Sequence, residues 1–159
     1  MLPAPDFNHQ RPGLMPRPFR RILVGWDGSA DSVAAFRMAV AIMGDAPGAV
    51  TAFAVLPDLP RPEAYRDEPA VPASTRRVLT SFESVRAAVA AATPAKISLH
   101  TTASKHVARA ICDYAVQEGS DLLVMGRHGY GGEWHPKLGH VAEAAAKASK
   151  IPVLLVTAR

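Results

Sequence analysis

The chain has 159 residues, of which 48% are hydrophobic, and it carries a formal net charge of +4. This length and composition suit one domain with a single core and exclude a second domain of ordinary size. Aromatic residues make up only 6% of the sequence and are not interleaved with basic ones, as they are on surfaces that stack bases, so we expect no nucleic-acid partner.

Cysteine content and hydropathy bear on where the protein works. Cys112 is the only cysteine of the sequence, which excludes an intrachain disulfide and suits a reducing compartment. No stretch of the sequence reaches the apolar length of a membrane span, and the N-terminus lacks the apolar core of a signal peptide. We therefore expect a cytoplasmic protein with no membrane partner.

The chain begins with an arm rich in proline and arginine (1–20), which is expected to be irregular and precedes a domain at 21–159. A wholly apolar strand is predicted at 22–26, as is usual when both faces of a sheet are covered. Ser29 is the predicted N-cap of a helix that Gly44 ends. The second strand is predicted at 49–56.

The proline-rich segment 57–74 predicts a long surface loop, whose length suggests plain disorder, with a lid over a site as the alternative. A helix at 76–92 and a strand at 96–102 follow. Ser104 is the predicted cap of a third helix, which Gly119 closes; a strand at 122–126, a helix from about His140 to Ser149 and a strand at 152–157 complete the chain. Because strands and helices alternate, we expect an α/β fold with parallel strands and helices on both faces of one sheet.

The run from Asp121 to Lys147 is the most informative part of the sequence. Its strand ends at Gly126, and Gly129 and Gly139 bracket a loop before an alanine-rich helix. Glycine lets backbone N–H groups approach an anion without a Cβ in the way, and the start of a helix adds unpaired N–H donors and the positive end of its dipole. The pattern therefore predicts a phosphate-binding site.

Parallel sheets bind ligands outside the carboxyl ends of their strands, where the strand order reverses. Asp27 follows the first predicted strand, Leu56 ends the second and Gly126 ends the fourth. We expect all three at one edge of the sheet, where a carboxylate, an apolar wall and an anion cradle suit a nucleotide better than a reaction. No nucleophile lies beside a base, and no Walker lysine follows the loop, so no catalytic residue is predicted.

Three segments resemble the universal stress protein family: RILVGWDGSADS, DLLVMGRHGYGG and LGHVAEAAAKASKIPVLLVT. The order of elements matches that family from Arg21 to Arg159. The family's nucleotide motif is Gly, two residues, Gly, nine residues, Gly, then Ser or Thr, and Gly126, Gly129 and Gly139 have its spacing.

The resemblance implies a Rossmann-like, three-layer α/β fold with a five-stranded parallel sheet, and a homodimer formed through the C-terminal strand. It implies a stress-response regulator or sensor that binds an adenine nucleotide, ATP or AMP, with Mg²⁺ accompanying ATP. Asp27 would lie near the adenosine and Val55 against the adenine. The glycine loop, with His140 and Val141, would hold the phosphates.

The chain departs from the family's motif in two places. His140 stands where ATP-binding members carry Ser or Thr; imidazole is bulkier, although its N–H can donate to phosphate. Within the nine-residue insert that also holds Trp134, Glu133 brings negative charge and Pro136 removes one backbone donor. These departures leave the number of bound phosphates open.

Plainer interpretations also stay open. Asp27 could serve only the turn and the cap of the next helix, and the glycines could serve only turns and packing. The protein could be a nucleotide-independent dimeric interaction or scaffold protein, and slow ATP hydrolysis is a third alternative, although we expect no enzyme. The spacing of His128, His135 and His140, with Glu133, does not match a helical pair of metal ligands, so no metal site is predicted.

Overall fold

A computed structural model describes residues 19–56, 72–130 and 137–158 of the chain. Apart from its last two residues, the predicted N-terminal arm lies outside the described residues, as do loop residues 57–71 and the insert residues Glu133 to Pro136. The described elements alternate along the chain: β1 (Arg21–Gly25), α1 (Ala30–Met43), β2 (Ala49–Val55), α2 (Ala73–Val89), β3 (Lys96–Thr102), α3 (Val107–Gln117), β4 (Leu122–Gly126), α4 (His140–Ala148) and β5 (Val153–Val156).

The five strands form one parallel sheet in the order β3-β2-β1-β4-β5. The chain runs outward from β1 to β3 and then returns to place β4 on the other side of β1. The strand order therefore reverses between β1 and β4, which makes the carboxyl ends of these two strands the expected ligand position. The predicted α/β fold with a five-stranded parallel sheet is confirmed.

Helices cover both faces of the sheet because successive strand residues point to opposite sides. Ile22 and Val24 pack on the face covered by α1 and α2, whereas Leu23 packs on the face covered by α3 and α4. All three side chains are at most 1% exposed. This full burial on both faces explains why residues 22–24 of β1 are all apolar and do not alternate with polar residues.

An aromatic cluster fixes α1 and α2 on their face of the sheet. The rings of Trp26, Phe36 and Phe82 meet edge to face, with centroids 5.7 to 5.8 Å apart. The Trp26 indole N–H donates to the carbonyl of Val78 at 3.1 Å, so its polar atom is satisfied although the side chain is buried. Trp26 directly precedes Asp27, and the cluster therefore also anchors the end of β1.

Helix α1 begins and ends as the sequence predicts. Ser29 is its N-cap, with Oγ accepting the N–H of Ser32 at 3.1 Å. Gly44 ends it with a φ of 53°, a left-handed backbone that glycine adopts without steric cost.

Two other helix starts differ from the prediction. Helix α2 begins at Ala73 and ends at Val89, so 73 and 74 belong to it rather than to the predicted loop, because nothing after Pro72 opposes a helix. Helix α3 begins at Val107 with His106 as its N-cap. Ser104 accepts the His106 N–H at 3.0 Å, which stabilises the turn before the helix and does not cap it. None of the described helices is long and apolar enough to cross a membrane.

Candidate functional site

A cavity of about 1180 Å³ opens at the carboxyl end of the sheet, over the reversal of strand order. It is somewhat larger than the roughly 300–1,000 Å³ typical of small-molecule sites. The predicted site residues all line this cavity: Asp27, Val55, Gly126, Gly129, Gly139, His140 and Val141.

The apolar wall of the cavity differs in part from the prediction. Val55 and Phe53 line it from β2, together with Ile111 and Met125. Leu56, which was expected at the same edge, is 5% exposed and packs in the core under α1 and α2 instead. The reason is the alternation of side chains along an extended chain, which points neighbouring residues to opposite faces.

Asp27 links the end of β1 to the glycine loop. Its Oδ1 accepts the N–H of Ser29 at 2.9 Å, and its Oδ2 accepts the N–H of Tyr130 at 2.9 Å. The first bond shapes the turn before α1, as the plainer interpretation of Asp27 expects. The second bond joins residues 103 positions apart in the sequence, so Asp27 also fixes the loop. A carboxylate oxygen accepts more than one hydrogen bond, which leaves Asp27 able to accept from a ligand.

The glycines of the loop are restricted by packing to different degrees. A Cβ on Gly126 would lie 2.8 Å from the Cβ and 2.9 Å from the backbone carbonyl carbon of Asp31, where α1 passes. A Cβ on Gly129 would lie 3.2 Å from Asp27 Oδ2, and one on Gly139 would lie 3.0 Å from the carbonyl oxygen of Arg127. Close approach within the fold therefore explains Gly126 without a ligand and restricts Gly129 and Gly139 less strongly, and the spacing of the three glycines alone does not establish phosphate binding.

Asp31 joins the site to the end of the sheet, and sequence reasoning missed it. The residue is 9% exposed. Its Oδ2 accepts the backbone N–H of His128 at 3.0 Å and lies 3.1 Å from His128 Nδ1, and its Oδ1 accepts the N–H of Ala158 at 2.7 Å. One carboxylate thus ties α1 to the glycine loop and to the residues that follow β5. The only signal in the sequence was an acidic residue in the first turn of a helix, which is common for electrostatic reasons alone.

His128 is fully engaged by the protein. Its Nδ1 faces the carboxylate of Asp31, and its Nε2 lies 3.0 Å from the carbonyl oxygen of Lys137. His128 therefore ties the first turn of α1 to the segment that precedes α4, with both ring nitrogens directed at oxygen atoms of the protein.

The N-terminus of α4 presents free donors to the cavity. Gly139 is the N-cap, and its carbonyl accepts the N–H of Glu143 at 2.9 Å. The N–H groups of His140, Val141 and Ala142 have no acceptor among the described residues, as the first turn of an uncapped helix requires. All three residues line the cavity. They form a position where an anion is favoured by both hydrogen bonding and the helix dipole.

Charged side chains of both signs surround this position. Arg127 and Lys137 line the cavity, as does Glu143. A hydrogen bond of 2.6 Å from Lys147, followed by the charge of that ammonium, lowers the pKa of Glu143 below its usual value. Glu143 is therefore ionised at neutral pH, and its charge is paired with that of Lys147 at 2.6 Å.

Arg77 holds the glycine loop from the outside. Its guanidinium carbon lies 3.4 Å from the ring centroid of Tyr130, within the range of a cation–π contact. Since the backbone N–H of Tyr130 is bound by Asp27, α2 and β1 together fix this part of the loop. No described pair of side chains in this cavity places a base beside a nucleophile.

The sequence model of the universal stress protein family matches residues 18–157. Hypothetical protein MJ0577 has a similar solved structure, with a TM-score of 0.69 and 21% identity, covering 89% of this chain and 98% of that chain. The structure of a universal stress protein in complex with cAMP is similar with a TM-score of 0.63 and 21% sequence identity. The match covers 89% of this chain and 99% of that chain. The structure of an Arabidopsis thaliana protein of the universal stress protein family with AMP bound is similar with a TM-score of 0.64 and 16% sequence identity. The match covers 88% of this chain and 92% of that chain. No significant match was found among curated proteins.

Proposed function

Because the chain belongs to the universal stress protein family, as the match over residues 18–157 shows, we propose that its cavity binds an adenine nucleotide and that the protein acts as a stress-response regulator or sensor. The observation that carries the proposal is the pairing of free N–H groups at the start of α4 with an apolar wall in one cavity. That combination suits a molecule with a flat apolar base at one end and a phosphate at the other.

In this proposal each end of the ligand has its own partners. The adenine lies against Val55 and Phe53, and the ribose lies near the carboxylate of Asp27, which has capacity for a further hydrogen bond. The phosphate lies at the N-terminus of α4, beside His140 and Val141. The relatives solved with cAMP and with AMP support an adenine nucleotide as the ligand class. Binding changes occupancy rather than chemistry, so we propose a non-enzymatic role.

We also propose that the protein forms a homodimer through β5. This strand lies at the edge of the sheet, its sequence is VLLV, and each of its residues is only partly buried. An apolar edge of this kind favours pairing with another strand. Light scattering at micromolar concentration is expected to give twice the mass of the chain, and a monomer mass would contradict this assembly.

The nucleotide proposal is tested by thermal unfolding with and without AMP. A ligand at about 100 times its Kd stabilises the folded state by about 2.7 kcal/mol, which for a domain of this size raises Tm by roughly 5–10 °C. Val55→Trp fills the base end of the cavity and is expected to remove the rise. Val116→Trp is the matched control, because Val116 is 51% exposed and lies outside the cavity lining. The same Tm with and without millimolar AMP would refute the proposal.

A further inference from the structure

Strand β3 lies at the edge of the sheet opposite to β5, and one side of its backbone has no neighbouring strand. At its start the Lys96 N–H donates to the residue before β2 at 2.9 Å, and at its end the Thr102 carbonyl accepts the N–H of the residue after β2 at 2.8 Å. Successive residues of a strand direct their backbone groups to alternate sides. The even-numbered residues of β3 therefore bond toward β2, whereas the N–H and C=O groups of Ile97, Leu99 and Thr101 point away from the sheet.

This edge is long and carries few of the features that protect sheet edges. Within the described ranges of the chain, the N–H groups of Ile97, Leu99 and Thr101 have no acceptor. Natural edges are commonly protected by proline, charge, a bulge or short length. β3 has seven residues, contains no proline and pairs with β2 in unbroken register, and its only lysine, arginine or acidic residue is Lys96 at the first position. It is therefore a longer open edge than the four-residue β5.

Packing on both faces holds β3 in its extended conformation. Leu99 is partly buried and packs against the core under α1 and α2. His100, on the opposite face, stacks on the ring of Tyr114 from α3, with centroids 4.7 Å apart. A strand that is already ordered loses less conformational freedom when it pairs. The backbone groups of this edge are thus prepared for a further strand.

The outward backbone groups of β3 are complementary to those of a second copy of β3 that runs in the opposite direction. When Leu99 lies opposite Leu99 of the second copy, Ile97 lies opposite Thr101. Each of these pairs is of the hydrogen-bonded antiparallel type. All three outward N–H groups and all three outward carbonyls of each copy then find partners.

Side chains and charges also suit this register. Leu99 meets its own counterpart on one face, which places two apolar side chains side by side. On the other face Ser98 lies opposite His100, and Lys96 lies opposite Thr102. Like charges directly opposite one another would destabilise a sheet, and this register brings none together because the single lysine of the strand faces a threonine.

We propose that β3 pairs with β3 of a second copy of this chain, antiparallel and centred on Leu99. This interface lies at the edge opposite to β5 and outside the cavity lining, so it goes beyond the proposed nucleotide function and does not depend on it. It joins the proposed β5 dimers into larger assemblies as the protein concentration rises.

A proline substitution tests the pairing. Thr101→Pro removes an N–H that points away from the sheet, a position at which edge strands tolerate proline. Thr101→Ala is the matched control, because it removes the side chain and keeps the N–H. In light scattering from micromolar to millimolar protein, the wild type and Thr101→Ala are expected to reach an average mass at least about twice that of Thr101→Pro, since each pairing joins two assemblies. Equal masses for the three proteins at every concentration would overturn the inference, as they would if this edge bound only an extended peptide of another protein.

A disulfide test checks the register and decides the question even if Thr101→Pro fails to fold. Leu99→Cys places two cysteines opposite each other with Cα atoms about 5.5 Å apart, a separation that a disulfide spans. Ser98→Cys is the matched control, because residue 98 and its counterpart are diagonal neighbours about 7–8 Å apart, too far for a disulfide. Under mild oxidation Leu99→Cys is expected to give a cross-linked dimer, whereas Ser98→Cys and the wild type, whose Cys112 is buried, stay single chains. Equal cross-linking of the two variants, or none in either, would overturn the inference.

Discussion

Replacing Asp31 by alanine removes an acceptor that serves three donors from two distant parts of the chain. The N–H of Ala158, the N–H of His128 and the Nδ1 of His128 lie 2.7, 3.0 and 3.1 Å from its carboxylate oxygens. The side chain is 11% exposed, so water replaces these contacts only in part. At about 1 kcal/mol for each bond, and more for a donor left buried, the variant loses roughly 3–5 kcal/mol of folding free energy. Loss of a negative charge from the first turn of α1 adds about 0.3–1 kcal/mol.

This loss is measured by urea unfolding, from the midpoint and slope of the transition. A loss of about 4 kcal/mol also lowers Tm by roughly 8–16 °C for a domain of this size. Asp113→Ala is the control, because Asp113 forms an exposed pair with Arg109 at 3.5 Å, and such pairs contribute about 0–1 kcal/mol. Unfolding free energies of Asp31→Ala and Asp113→Ala that agree within about 1 kcal/mol would refute the reasoning.

Three further outcomes are expected. Gly126→Ala should destabilise the protein by about 1–3 kcal/mol in urea unfolding, since its Cβ would meet Asp31 backbone and side chain at 2.8 to 2.9 Å; wild-type stability would contradict that contact. Burial, followed by the charge of a neighbouring aspartate, raises the pKa of Cys112, so iodoacetamide at pH 8 should label the folded protein far more slowly than the protein in urea, and equal rates would show an open thiol. Arg77→Ala should lower the free energy of unfolding by only about 0.5–1 kcal/mol, because its contact with the 58% exposed Tyr130 is a surface cation–π pair. A loss above about 2 kcal/mol would contradict this assignment of the contact as a weak surface pair.

The strands and most helix ends could be predicted because their signals are local. Ser29 caps α1 by a bond to a residue three positions away, and Gly44 ends it through its own backbone angle. Ser104 misled the prediction because a hydroxyl that binds the N–H two residues later forms a turn from the same local pattern that suggests a cap. The start of α2 was predicted too late. Several prolines precede this helix, and the sequence does not show that the helix begins directly after Pro72.

The position of the cavity could be predicted, but its internal bonding could not. The order of elements predicts Asp27, Leu56 and Gly126 at one edge of a parallel sheet, and the family resemblance adds Val55. Asp27, Val55 and Gly126 line the cavity, whereas Leu56 packs in the core. The role of Asp31 depends on bonds to His128 and Ala158, 97 and 127 residues away, and no local pattern indicates such partners. The glycines of the loop also depend on the fold. Their pattern indicates that some group comes close to the backbone, but only the structure shows that residues of α1 and Asp27 lie there.

The central claim, that an adenine nucleotide places its phosphate at the start of α4, is tested most directly by titrating ¹⁵N-labelled protein with AMP and following the backbone amide resonances. We predict that the largest shifts are those of His140, Val141 and Ala142, with smaller shifts at Val55 on the opposite wall, and that the exposed residue Val116 on α3 does not shift. A spectrum unchanged at millimolar AMP, or shifts confined to residues outside the cavity, would contradict the claim.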